Sequence, residues 1–299
     1  MLLDFINVDV DLALFYLVDF IIAVALLSGM RFLSGFVGNV SASHEISQND
    51  NYAFGVSLAG GMIAVSIMLM GVVSGDAGFS LANEAFSVIM YGVTGIILMW
   101  LTRIIFDRVS FPHISIHEQI MNGNLAAGII DGCNMIATAL IIRAAMIWVD
   151  GSTYISVLAV IISFVASQVI MLLATYYRRK VFEKRHSGYK IHTAIEESNL
   201  ALALRFGAYR IGTAIAVSAA FAAIDYEQEA FLTVFMLWFA AALALFLLLT
   251  LVAVVIRHGV LHRINIAEEV GQQANIAVGA IEGGIYIVVG LLISGLIGA

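Results

Sequence analysis

The amino-acid sequence predicts an all-α polytopic membrane protein, a bundle of eight transmembrane helices built from four parallel two-helix hairpin repeats. The composition is the first observation, because 62% of the residues are hydrophobic and 12% are charged, whereas a soluble domain is about 25% charged. Apolar runs long enough for transmembrane helices recur along the whole chain. The third observation is a motif that occurs four times and divides the chain into similar units.

The repeated motif begins with an asparagine and aligns without gaps. Its copies are NYAFGVSLAGGMIA from Asn51, NLAAGIIDGCNMIA from Asn124, NLALALRFGAYRIG from Asn199 and NIAVGAIEGGIYIV from Asn275. In every copy an alanine follows two residues later, small residues follow four and eight residues later, and an isoleucine follows twelve residues later. The copies start 73, 75 and 76 residues apart, so a unit of roughly this length is repeated.

Each repeat is predicted to contain an earlier apolar helix, here called the A helix, and a B helix that starts at the asparagine. The A helices are expected over residues 11–33, 85–105, 154–177 and 231–256. The repeats comprise residues 1–75, 76–151, 152–226 and 227–299 of one integral membrane domain. Because Asp131 and Glu282 occupy matching places near the end of each half, the halves 1–151 and 152–299 are expected to be related by a pseudo-two-fold axis.

The Lys and Arg residues predict the orientation of the hairpins. Of the 14 basic residues, three lie within B helices and the other 11 lie in or beside the A-to-B loops. Basic loops face the cytoplasm, so the sequence predicts a bacterial inner-membrane protein with both termini in the periplasm. Because each repeat has an even number of helices, the repeats are expected to be parallel.

Short amphipathic segments are predicted before the B helices, at the cytoplasmic interface. Three of them carry a histidine seven residues before the asparagine, namely His44, His117 and His192. Anchoring at the interface explains these segments without a metal, and no tight metal-ligand spacing supports a three-histidine site. No metal site and no cofactor are therefore predicted.

Small residues spaced four apart let transmembrane helices approach closely, which favours helix packing. The glycines assigned to packing in the B helices are Gly55, Gly128, Gly132, Gly207, Gly279 and Gly283. The B helices are expected to form the inner layer, with the A helices facing lipid. The alternative is that the small residues expose backbone along a pore.

Six charged residues fall inside the predicted spans, where an unpaired charge costs roughly 2.5–3.5 kcal/mol or more. The repeat places four of them at similar depth, as an inner cluster of Asp131, Glu282, Arg205 and Arg210. The remaining two are expected to form an outer pair, Asp19 with Arg143. The inner cluster is either a structural ion-pair network or a functional site that binds an anion, binds a cation or relays protons.

The motif that opens the B helices resembles the bacterial inner-membrane family called domain of unknown function 350. The segments DNYAFGVSLAGGMIAVSIML and ANIAVGAIEGGIYIVVGLLI are the most similar to that family. The resemblance implies tandem copies of a membrane hairpin over essentially the whole chain. It supplies no activity and no catalytic residues, and it implies a partner role in membrane stress or polyamine-related functions by association alone. The third repeat departs from the pattern, because Ala203 replaces the first glycine.

These observations favour a transporter or channel for a small solute or ion. The alternative is a membrane scaffold that recruits cytoplasmic membrane-stress proteins through its basic loops, of which YYRRKVFEKRHSGYK is the most basic. No GxSxG, Walker or CxxC motif is present, so an enzyme is not expected. The expected partner is the lipid bilayer, a further copy of the chain and a cytoplasmic protein at the basic loops are left open, and no nucleic acid is expected.

Overall fold

The computed structural model describes residues 10–38, 42–73, 80–149, 153–186 and 188–298. The described residues form α-helices α1 (Val10–Gly38), α2 (Ala42–Ser47), α3 (Tyr52–Val73), α4 (Leu81–Ile105), α5 (Ile116–Met121), α6 (Leu125–Trp148), α7 (Tyr154–Arg185), α8 (Ile191–Glu196), α9 (Leu200–Ala222), α10 (Phe231–Val260) and α11 (Ile276–Ile297). The described residues also form two π-helical turns, Phe106–Ser110 and Glu268–Gln272. The A helices are α1, α4, α7 and α10, and the B helices are α3, α6, α9 and α11. The segment that joins A to B is called the elbow.

The predicted all-α membrane fold is confirmed. Within the described ranges, seven helices are long and apolar enough to cross a membrane, namely α3, α4, α6, α7, α9, α10 and α11. The described side chains of α1 give a shorter apolar segment, Leu14–Ser28. The number of eight spans therefore stays a prediction.

The B helices pack in chain order, α3 against α6, α6 against α9 and α9 against α11. They run parallel, because residues at similar distances from the four asparagines meet. A Cβ added to Gly128 would overlap the backbone of Ala53, and a Cβ added to Gly279 would overlap the backbone of Ala201 in the same way. Close backbone approach thus holds this layer together, as expected for helices without a hydrophobic driving force in lipid.

The A helices lie against the B layer and are offset from it. Helix α4 contacts both α3 and α6, and α10 contacts both α9 and α11. Helices α6 and α9 are the most buried spans in the described structure, whereas α10 exposes most of its apolar surface. This arrangement agrees with the prediction that the B helices form the inner layer and the A helices the outer layer.

Each repeated asparagine except Asn275 has two structural roles at the elbow. Its side-chain oxygen caps its own B helix, as when Asn124 Oδ1 accepts a hydrogen bond from the Ala127 backbone at 3.2 Å. The amide nitrogen of Asn124 donates to the Ile195 carbonyl oxygen of the next elbow at 2.6 Å. Asn51 and Asn199 donate equivalently to the Ile120 and Val270 carbonyls, at 2.9 and 2.8 Å.

Each asparagine is also preceded by a residue with a left-handed backbone. The φ angles are 46° at Asp50, 80° at Gly123, 57° at Ser198 and 50° at Ala274. This conformation turns the chain sharply from the elbow into the B helix, and glycine is the residue that adopts it at least cost. The recurrence shows that all four B helices are entered through the same turn, and the parallel packing of the B helices places the four elbows at one end of the bundle.

Candidate functional site

A buried ion pair joins the hairpins of the first half, about 10 Å into the B helices from their elbow ends. Asp131 of α6 accepts from Arg103 of α4, with Arg103 Nη2 at 2.7 Å from Oδ2 and Nε at 3.3 Å from Oδ1. Ser57 of α3 donates to the same Asp131 Oδ2 at 2.5 Å. These three residues, from α3, α4 and α6, are called the first cluster. The Arg103 side chain remains 38% exposed, while Asp131 is buried.

The second half contains a corresponding ion-pair cluster. Glu282 of α11, which is fully buried, lies between Arg205 of α9 and Arg257 of α10. Arg205 Nε is 2.7 Å from Glu282 Oε2, and Arg257 Nη1 donates a hydrogen bond to Oε1 at 3.3 Å. These three residues are called the second cluster. Both arginines are nearly buried, so this cluster is much less exposed than the first.

The two clusters occupy equivalent places in the repeat. Ser57 and Arg205 each lie six residues after their asparagine, and Asp131 and Glu282 each lie seven residues after theirs. Arg103 and Arg257 both lie in the last turn or two of an A helix. The halves thus share one constellation of an acid on the second B helix and an arginine on the preceding A helix.

The four residues predicted as one inner cluster are not brought together. Glu282 pairs with Arg205 as the common depth suggested, but Asp131 pairs with Arg103 instead. Arg210 donates to Asn134 Oδ1 and to Thr175 Oγ1, the latter at 2.8 Å. Arg210 lies one turn deeper than Arg205, so it contacts neutral groups of α6 and α7 rather than a carboxylate.

A fifth guanidinium, that of Arg178 on α7, is buried beside the second cluster. It lies over the rings of Tyr209 and Tyr286, with its central carbon 4.2 and 4.3 Å from the two ring centroids. Its Nε and Nη2 atoms are buried and donate to no described acceptor. Cation–π contacts therefore replace an acid partner at this arginine.

The two residues of the predicted outer pair lie on α1 and α6. Asp19 is 2% exposed on α1, and Arg143 lies on α6 with its aliphatic stem against Gly71 of α3. The pairing of Arg143 with Asp19 stays a prediction.

Five of the six predicted packing glycines lie at contacts between B helices. Gly128 and Gly132 face α3, Gly207 faces Cys133 of α6, and Gly279 and Gly283 face α9. Gly55 is different, because no described atom lies within 4 Å of the place where its Cβ would be. Gly55 therefore lies on an edge of the layer.

A cavity of about 560 Å³ leads from the elbow of the second repeat to the first cluster. Ser57, Arg103 and Asp131 line its middle, His117 and Glu118 of α5 line the part at the elbow, and apolar side chains such as Val65 line the part farthest from the elbow. Phe106, at the start of a π-helical turn, also lines it. The Arg210 guanidinium stacks on the Phe106 ring at 5.0 Å from the centroid, so this ring separates the cavity from a second buried cation.

A second cavity of about 430 Å³ lies at the elbow end of α10. Its lining includes the basic side chains Arg185, Arg257, His258, His262 and Arg263, and no acid. It reaches the second cluster only through Arg257.

Sequence reasoning missed Arg103 and Arg257 as partners of the buried acids, and it missed Arg178 beside the second cluster. All three were assigned to the basic borders of the loops because they lie near the ends of A helices. The long A helices carry these side chains inward, beside the first turns of the B helices. The signal that could have found Arg103 and Arg257 is that each half has an arginine in the last turn of the A helix that precedes the acid-bearing B helix.

The elbow histidines do not meet as a group of three. His192 lies beside His113, with 5.1 Å between ring centroids, whereas His117 lines the first cavity. Partial burial, followed by the charge of His113, lowers the pKa of His192. Among the described residues, no three His, Cys, Asp or Glu side chains are grouped so that they could hold a metal ion.

The fold and its clusters define a multipass membrane protein of repeated hairpins with ion pairs buried between them. The chain belongs to the family described as Domain of Unknown Function (DUF350), whose sequence model matches residues 5–146 and 152–297. The resemblance predicted from the motif is thereby confirmed, and the two matched segments correspond to the two halves.

One similar protein is the UPF0719 transmembrane protein of Aquifex aeolicus (strain VF5), which is 28% identical over 102 residues. The match covers 34% of this chain and 38% of that protein's length. No solved structure matches the chain.

Proposed function

We propose that the protein transports a small anion across the bacterial inner membrane, with its elbows in the cytoplasm. The observation that supports this proposal most directly is the cavity that reaches the Arg103–Asp131 pair inside the membrane-spanning layer. Intramembrane ionisable groups beside a cavity are the usual mark of a solute or ion path.

The buried charge supports an anion rather than a cation. Five guanidinium groups, those of Arg103, Arg178, Arg205, Arg210 and Arg257, lie in or beside the clusters, with two carboxylates, those of Asp131 and Glu282. The arginines exceed the acids by three. A buried cation without a counter-charge is costly, and an anion would lower that cost.

The position of Arg210 suggests the route. Its Nε atom is buried and donates to no described acceptor, and its guanidinium lies on the Phe106 ring, which lines the cavity. A π-helical turn is less regular than an α-helix and is frequent at functional sites. Movement of the Phe106 ring would open the cavity toward Arg210, so we assign this ring the role of a gate.

The test is anion flux in proteoliposomes. Efflux of phosphate, acetate and glutamate is compared with efflux of rubidium and with protein-free liposomes. We expect anion efflux above the protein-free rate, with at least a tenfold loss in Arg210→Gln. The control variant Lys180→Gln also removes one positive charge, but Lys180 is an exposed partner of Glu183, so its flux should equal that of the unchanged chain.

Rubidium flux equal to anion flux, or anion flux unaffected by Arg210→Gln, would contradict the anion proposal. An absence of all flux would favour the second candidate, a scaffold for a cytoplasmic protein. The basic lining of the second cavity supports that candidate, because an acidic segment fits it. A poly-glutamate peptide would then bind the protein in detergent and would bind Arg185→Glu more weakly.

A further inference from the structure

The three interfaces between neighbouring B helices share one design. The earlier helix contributes a front face, formed by residues two and nine positions after its asparagine, and the later helix contributes a back face, formed by residues four and eight positions after its own. At the back face, a Cβ on Gly128 would overlap Ala53, and a Cβ on Gly279 would overlap Ala201. In each case the residue at position four meets the residue at position two.

The deeper positions repeat the pattern. A Cβ on Gly207 would lie 2.8 Å from the Cβ of Cys133, and a Cβ on Gly283 would lie 2.8 Å from the Cβ of Ala208. Gly132 of α6 likewise lies directly against Gly60 of α3. In all three interfaces the residue at position eight meets the residue at position nine.

Among the described residues, nothing packs on one front face and one back face at the two ends of the layer. The back face of α3 contains Gly55 and Ala59, and the front face of α11 contains Ala277 and Gly284. Ala59 and Ala277 are exposed, and no described atom lies within 4 Å of a Cβ placed on Gly55 or Gly284. The same positions are filled by a neighbouring helix everywhere else in the layer.

The series of hydrogen bonds between consecutive elbows also stops at the ends of the layer. Asn51, Asn124 and Asn199 each donate to a backbone carbonyl of the following elbow. The amide nitrogen of Asn275 donates to Glu269 of its own elbow, at 2.8 Å. At the other end, the elbow residue that corresponds to Val270 is Ile46, five residues before its asparagine, and Ile46 is 46% exposed.

We propose that copies of this chain associate head to tail, with α11 of one protomer packed on α3 of the next. Ala277 would then meet Gly55, and Gly284 would meet Ala59, in the register of the internal interfaces. The Asn275 amide would donate to the Ile46 carbonyl of the neighbouring copy. One molecule carries both complementary faces at the same height, so a second copy is the occupant that fits them. Such a contact is heterologous, and it closes into a ring or continues as a row.

Cysteine cross-linking in native membranes tests the contact. Ala59→Cys and Gly284→Cys are placed in separate, differently tagged chains that carry Cys133→Ser, and the two chains are expressed together. Oxidation should join the two tags in one disulfide-linked product. Each variant expressed alone should give little product, because a head-to-tail contact brings residue 59 to residue 284 and not to a second residue 59.

The chain offers matched controls. Cys133 and Gly207 hold the corresponding positions nine and eight at the internal interface between α6 and α9. Gly207→Cys with native Cys133 therefore reports whether this geometry forms a disulfide, as an intrachain bond. Ala244 lies on the exposed side of α10, so Ala244→Cys paired with Ala59→Cys measures random collision.

The proposal is overturned if the mixed pair cross-links no more than the Ala244→Cys pair, or if either single variant cross-links as strongly as the mixed pair. A second measurement does not depend on disulfide geometry. Gly55→Leu places a large side chain on the open face, where the single chain has room for it. It should reduce the assembly to single chains in mild detergent while the helical content stays unchanged. Ala244→Leu should leave the assembly intact, and an intact Gly55→Leu assembly contradicts the proposal.

Discussion

At the scale of single residues, the absence of a side chain matters most where two B helices touch. A Cβ on Gly128 would overlap the carbonyl oxygen of Ala53. Because both groups belong to helix backbones, neither can shift without disturbing its helix. The corresponding residue of the third repeat is Ala203, which is fully buried. At this position the interface between α6 and α9 accommodates a methyl group that the other two interfaces do not.

We expect Gly128→Ala to lower the free energy of unfolding by roughly 2 kcal/mol through overpacking. The control is Gly259→Ala on α10, where no described atom lies within 4 Å of the new Cβ. That change should be neutral or stabilising by up to about 1 kcal/mol, because alanine favours the helix over glycine. Thermal unfolding of both variants in detergent measures the difference, and equal stability would contradict the packing role.

The charged residues show how far the sequence alone can lead. The repeat correctly aligned Arg205 with Glu282 in depth, since both lie near the same point of parallel helices. It did not predict that Arg103 would satisfy Asp131. The pairing depends on how far α4 is offset along the B layer, and no periodicity within one helix encodes the offset between two helices.

At the scale of elements, the asparagine elbow connects one hairpin to the next. The sequence revealed the asparagines as the start of each B helix, and capping explains that position. It did not reveal the hydrogen bond from the same side chain to the following elbow, because the partner is a backbone carbonyl about 70 residues away, with no side-chain signature.

Asn199→Ala should destabilise the protein more than Asn275→Ala does. Each change removes a helix cap, which costs about 1 kcal/mol. Asn199→Ala also removes the hydrogen bond to the buried Val270 carbonyl, which adds about 1 kcal/mol. Asn275→Ala removes instead an amide hydrogen bond to Glu269 of its own elbow, which water can replace because Glu269 is only partly buried. Unfolding of single chains in detergent should show this order, and the reverse order would contradict the connecting role.

At the scale of the whole molecule, two halves with the same constellation have different environments. The first cluster opens to a cavity, and its Arg103 is 38% exposed. The second cluster encloses Glu282 completely between two arginines. The two repeated halves thus contain a partly exposed pair, Arg103–Asp131, and a nearly buried cluster around Glu282. This difference fits a functional role for the first and a structural role for the second.

The variants Glu282→Gln and Asp131→Asn test that division. Glu282→Gln leaves two buried guanidiniums without a carboxylate, and breaking a buried pair in this way costs about 3–5 kcal/mol. Asp131→Asn leaves Arg103 able to reach water through the cavity, so we expect a loss of about 1 kcal/mol. Unfolding in detergent compares the two, and a larger loss for Asp131→Asn would contradict the division.

The hydrogen bonds between consecutive elbows also have a consequence for biosynthesis. Each hairpin finds its main partners in the hairpins directly before and after it along the chain. The amide of an earlier asparagine gains its second acceptor only when the next elbow has emerged. A ribosome that delivers the hairpins from the N-terminus onward therefore presents each one to a docking face that is already in the membrane.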